Sequence, residues 1–165
     1  MSDTIAYAIS VEPREELTDE QSNTHTVISG EVGKSLGGSG VAVVSDYAGT
    51  AAAQGYLNAT VNYLECIDSD DTTDISSEAT ASFVYIKNTG YTFSDATTLG
   101  DALDKSVKVM SGTTLLSVLD AGEPFVMKDD NAGIVCTGLH VRTVDTDSGE
   151  NASAGHLAVE YLVVD

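Results

Sequence analysis

Ser82-Phe83-Val84-Tyr85-Ile86-Lys87, followed by Asn88-Thr89-Gly90, is the stretch whose reading decides the fold. The β-branched and aromatic side chains from Phe83 to Ile86 suit a pleated, half-buried surface and lose rotamer freedom in a helix. The segment therefore reads as a strong strand. Asn and Gly tolerate positive φ, so Asn88-Thr89-Gly90 reads as the turn that stops it.

Toward the C-terminus the same grammar repeats. Tyr91 to Phe93 continues the chain, and Thr98 to Leu103 reads as one helical turn capped by Thr97 or Thr98. Val107 to Met110 is strand-like, Ser111-Gly112 turns, and Leu115, Leu116, Val118 and Leu119 fit either a short helix or a strand. Ala121-Gly122-Glu123-Pro124 turns again into a strand from Phe125 to Lys128. Asp129-Asp130-Asn131 with Gly133 is a further turn, and Ile134 to Val144 holds one or two strands. Asp145 to Ala154 is a polar loop. The chain closes on a strand from His156 to Val164, with Leu157, Val159, Tyr161 and Val163 on one side.

Toward the N-terminus, Ile5, Tyr7, Ile9 and Val11 alternate as in a half-buried strand that Pro13 ends. Residues 12 to 26 are polar and acidic with no apolar period, and GKSLGGSG from Gly33 to Gly40 reads as a loop. Residues 12–40 are thus expected to form an arm or loop region, apart from a short strand at Val27-Ile28-Ser29. Val41 to Val44 is a short apolar strand, and Ala48 to Gln54 is a helical turn or a small-residue connection. Tyr56 to Ile67 reads as a strand, and Asp68 to Thr80 as an acidic loop. About eight short strands spaced about ten residues apart, with little helix, make the expected fold all-β: an antiparallel β-sandwich or jelly roll formed by residues 1–165 as a single domain.

Composition bounds the partners. The 165 residues hold 26 Asp plus Glu against 7 Lys plus Arg, a formal net charge of −19, and 42% hydrophobic residues. That apolar content argues for a packed core. So negative a chain repels polyphosphate backbones and anionic lipid headgroups, which argues against nucleic acid and membrane as partners. No apolar run reaches the roughly 18 residues of a membrane span, and MSDTIAYAIS lacks the basic and apolar regions of an export signal, so a soluble protein is expected.

No reaction follows from the residues. Lys34-Ser35 precedes the glycines of GKSLGGSG, the reverse of a phosphate loop, and Gly38-Ser39-Gly40 lacks the spacing of a nucleophile elbow. Asp145, Asp147 and Glu150 alternate like the start of a calcium loop, but Gly149 stands fifth and His156 twelfth where an EF-hand needs a ligand and a glutamate. Asp68, Asp70, Asp71 and Asp74 crowd like charges that a cation would relieve. These two loops are the weak Ca²⁺ candidates; solvated turns are the plainer reading. His25, His140 and His156 show no metal-ligand spacing, and His140 is expected on the face opposite Leu139 and Val141. Cys66 and Cys136 fall in expected strands and read as two reduced, buried thiols. With no Trp, and with most Tyr in strands, a glycan groove lined by stacking rings is not indicated. Neither a catalytic residue, a cofactor nor an enzymatic activity is assigned.

Three segments resemble the small β-sandwich proteins of tailed bacteriophages, in particular the head decoration or cement proteins. They are Phe83 to Gly90, Leu115-Leu116-Ser-Val-Leu119-Asp-Ala-Gly122-Glu123-Pro124-Phe125, and Leu157 to Val164. The likeness covers about the second half of the chain and lies in strand-turn patterns that carry no chemistry. It implies a non-enzymatic virion structural protein, made in the host cytoplasm, that sits on the capsid surface as a homotrimer against the major capsid protein. The alternatives are a tail or baseplate β-protein and a carbohydrate- or calcium-binding β-sandwich module.

Overall fold

A computed structural model describes residues 3–11, 14–18, 23–28, 36–44, 53–54, 56–57, 60–66, 72–129, 131–143 and 156–164. Among these residues every regular element is a strand. The chain forms two compact units, one of Ile5–Val41 and one of Met1–Thr4 with Ala42–Asp165.

The first unit holds most of a two-stranded pairing of β1 (Asp3–Val11) with β4 (Leu36–Val44), of which Asp3, Thr4 and Ala42–Val44 count with the second. Between them in sequence, β2 (Arg14–Thr18) and β3 (Thr24–Ile28) form an antiparallel hairpin with Arg14 opposite Ile28 and Thr18 opposite Thr24. Two expectations fail here. Part of the polar 12–26 stretch is paired strand, and the strand of β4 begins within GKSLGGSG. A two-stranded hairpin is held by main-chain bonds, which need no apolar period. The glycines serve close approach: a Cβ on Gly37 would collide with the Ile9 carbonyl oxygen, and one on Gly40 would lie 2.6 Å from the Tyr7 hydroxyl.

After β4 the second unit continues with β5 (Ala53–Gln54), β6 (Tyr56–Leu57), β7 (Thr60–Val61) and β8 (Tyr63–Cys66). The single strand expected over 56–67 is instead three, because β6 and β7 pair with each other, Tyr56 opposite Val61. Then come β9 (Thr80–Ala81), β10 (Phe83–Asp95), β11 (Thr98–Ala102), β12 (Val107–Ser111) and β13 (Thr114–Leu119). The chain ends with β14 (Pro124–Lys128), β15 (Ile134–Val135), β16 (Leu139–Thr143) and β17 (Leu157–Val164).

Two long strands organise the larger sheet. β10 and β17 pair antiparallel from Phe83↔Val164 to Asn88↔Val159. On its other edge β10 carries β14 along residues 83–87 and β11 along 91–95, while β17 carries β8 and β5. The smaller sheet runs β13-β12-β16. Val84 and Ile86 of β10 and Leu157, Val159 and Val163 of β17 form one buried cluster with Val107 and Val109 of β12 and Leu139 and Val141 of β16. This shared core, drawn from both sheets, gives the antiparallel sandwich that the strand pattern predicts. Each fully buried Val, Leu or Ile contributes about 1.5–3 kcal/mol. β17 differs from the one-sided strand expected: Ala158, Leu162 and Val164 are buried as well as Leu157, Val159 and Val163.

The strand through Phe83 does not stop at Asn88-Thr89-Gly90. It continues to Asp95, and the three residues make a bulge, with Asn88 opposite Val159 and Thr92 opposite Leu157. Gly90 takes φ +74 there. The expected helical turn at Thr98 to Leu103 is also strand: Asp95 lies opposite Thr98, and its carboxylate accepts the Thr97 N–H at 2.8 Å and the Thr97 hydroxyl at 2.9 Å. The side chain that organises this corner is therefore an aspartate closing a hairpin. Its hydrogen bonds from Thr97, backbone first, hold the Asp95 carboxyl below the usual 3.8. The ambiguous Leu115 to Leu119 segment resolves as strand β13.

Candidate functional site

The sandwich is joined internally by one buried amide. Asn88 is fully buried, its Nδ2 donating to the carbonyl oxygens of Lys105 (2.7 Å) and Leu119 (3.0 Å) and its Oδ1 accepting the Gly90 N–H (3.0 Å). Its own backbone N–H donates to Glu123 O, and its carbonyl accepts from Gly122 N–H. Beside it, the Thr89 hydroxyl donates to Ala158 O at 2.6 Å. The bulge in β10 thus fastens the larger sheet to the ends of β12 and β13. Two donors and an acceptor on one short side chain suit that junction.

The weak Ca²⁺ candidates Asp68, Asp70, Asp71, Asp145, Asp147 and Glu150 lie outside the described residues. Asp74 is described, and it works as a fastener: its Oδ1 accepts the Gly138 N–H at 2.8 Å. Among the described residues, no three His, Cys, Asp or Glu side chains converge as metal ligands would.

His25 lies on β3. His140 on β16 is buried along with Leu139 and Val141, so the strand is covered on both faces. The Arg142 Nε–H donates to His140 Nε2 at 2.9 Å. Arginine has no acceptor, so Nε2 must accept and Nδ1 carries the proton, which it donates to Gly138 O at 2.8 Å. That pattern fixes the orientation of the ring within the strand. His156, just before β17, meets the Glu65 carboxylate through Nδ1. The β8–β17 register explains the pair: Glu65 stands opposite Ala158, making His156 a diagonal cross-strand neighbour. Ninety-one positions separate the two in sequence, so only knowledge of the strand pairing could have joined them.

Both thiols are buried in the core cluster and neither is in a disulfide, as expected, although Cys136 follows β15 rather than lying in a strand. Of the tyrosines, Tyr161 on β17 has its phenol pushed above 10.0 by burial, which suits a core ring. Among the tyrosines whose side chains are described, Tyr91 is the outward exception at 44% exposure.

Unburied apolar side chains are the remaining feature with functional content. In the first unit, Ile9, Val11 and Val41 on β1 and β4 are 50–52% exposed. A shallow depression of about 480 Å³ opens between Ala6, Tyr7 and Ala8 on one strand and Ser39, Gly40 and Val41 on the other. This strand pair presents branched aliphatic side chains to solvent, with Tyr7 and Ser39 in the depression beside them. The chain matches none of the protein-family models, curated proteins or solved structures with which it was compared.

Proposed function

We propose that this chain is a non-enzymatic structural protein of a bacteriophage virion, a decoration protein that cements the outer capsid by bridging neighbouring capsomers of the major capsid protein. The observation that carries this reading is the β1–β4 ribbon with its half-exposed Ile9, Val11 and Val41. An isolated two-stranded ribbon is marginal in water, and these side chains recover burial only against another surface. Completing the burial of each contributes roughly 1 kcal/mol, about half the value of a full transfer from water. The rigid sandwich of the second unit supplies a body to be anchored. The resemblance of the β10, β13–β14 and β17 segments to phage cement proteins points the same way.

The net charge of −19 fits a role outside the nucleic acid, on a surface bathed in salt. Low ionic strength opposes the crowding of many such copies on one shell. The test is cosedimentation of the full chain with undecorated shells, alongside an Ile9→Asp/Val41→Asp variant. Wild type is expected to pellet saturably and the variant to remain in solution. Wild type left in the supernatant, or a variant that pellets equally, defeats the proposal.

A further inference from the structure

We infer that the outer edge of β13 is a self-pairing site, where β13 of a second copy adds antiparallel and joins two three-stranded sheets into one of six. Among the described residues β13 is the terminal strand of the β13-β12-β16 sheet and pairs in a ladder only with β12. Leu115 is 50% exposed, Leu116 40% and Val118 44%, although they belong to the well-formed sandwich. A bulge lies beneath them: Met110 is opposite Leu115 and Val109 opposite Ser117, so Leu116 has no residue facing it across the ladder. Bulges re-aim side chains, and this one brings two leucines outward together.

Sheet edges in soluble proteins are normally protected by lysine, proline, an inward charge or a bulge. β13 has the bulge, but from Thr113 to Leu119 it has no lysine, proline or charge. The same neutrality selects the occupant. A cationic partner would find no carboxylate on this edge to recognise. A second copy, which elsewhere carries a net charge of −19, can approach only where its acids are absent.

Charge also selects the direction. The nearest acid is Asp120, four residues beyond Leu116. In an antiparallel pair centred on Leu116 the two Asp120 residues stand eight strand positions apart, about 26 Å. That is well over the roughly 8 Å screening length at physiological salt. A parallel pair would place them side by side. Antiparallel pairing is isologous and closes at two copies, so it does not propagate into a fibre. It gives two chains where the resemblance to cement proteins implies three, and it stands or falls independently of shell binding.

The experiment is sedimentation equilibrium of the full chain at physiological salt, with Leu116→Lys as the variant. Leu116 is exposed, so its thermal melt reports whether the fold is kept. Wild type is expected at the mass of two chains, weakening as salt is lowered, and L116K at the mass of one with an unchanged melt. If L116K does not fold, hydrogen exchange of wild type decides: the amides of Thr114 to Leu119 should be slower at high protein concentration than at low. A wild-type monomer, a dimer or trimer that L116K leaves intact, or exchange independent of concentration overturns the inference. So does protection of these amides only on addition of shells, which would assign the edge to the capsid.

Discussion

Replacing Asn88 by Leu should destabilise the protein by about 4 kcal/mol. The side chain is fully buried and makes three hydrogen bonds, two as donor to Lys105 O and Leu119 O and one as acceptor from Gly90 N–H. Leucine has a similar shape and fills the space, so the cost comes from the groups left behind. A buried polar group without its partner costs about 1–3 kcal/mol. The Leu119 bond is the most deeply placed and takes about 2 kcal/mol, while the Lys105 and Gly90 groups, nearer solvent, take about 1 kcal/mol each. In a chain of this size that total lowers the melting temperature by about 10 °C. Urea titration followed by circular dichroism measures it, with exposed Ser94→Ala as a control that should stay within about 0.5 kcal/mol of wild type. An N88L protein within about 1 kcal/mol of wild type would refute the assignment of the bulge as the junction between the sheets.

Two further perturbations test the local geometry. Gly90→Ala should cost more than Gly112→Ala: both glycines have positive φ, +74 and +56, but only at Gly90 would the new methyl meet a side chain, Ala121 Cβ at 2.9 Å. Equal urea midpoints for the two variants would contradict that ordering. The depressed Asp95 carboxyl stabilises the β10–β11 hairpin while it is charged, so its contribution is present above the ordinary value of 3.8 and is lost as pH falls through the lower folded one. Asp95→Ala should therefore reduce the loss of stability on acidification below about pH 4, and an acid slope identical to wild type rules the effect out.

Much of the sandwich is legible in sequence because its strands are short, β-branched and punctuated by residues with a defined turn chemistry. Gly112, Gly122 and Gly133 occupy positive φ at three of the expected turns, and Pro124 begins β14, where no ladder donor is needed. The failures share one cause, that local chemistry does not reveal a distant partner. Asn88-Thr89-Gly90 has turn composition, yet the carbonyls of Lys105 and Leu119 recruit it into a bulge within a longer strand. Thr98 to Ala102 looked like a capped helical turn until the ladder with β10 claimed it. The glycines before Val41 spelled a loop, but they admit the backbone and tyrosine of β1. For the site, sequence reasoning turned to acidic loops and overlooked apolar residues at the edge of β13 and on the β1–β4 ribbon. Alternation marks such residues as core-facing, and only the assembled sheets show which of them lack a cover.

The most direct test of the proposed role is electron cryo-microscopy of undecorated capsids incubated with saturating full-length protein. The proposal predicts added density of sandwich size at junctions between capsomers on the outer surface. Shells that remain bare, or density confined to the tail, would contradict it.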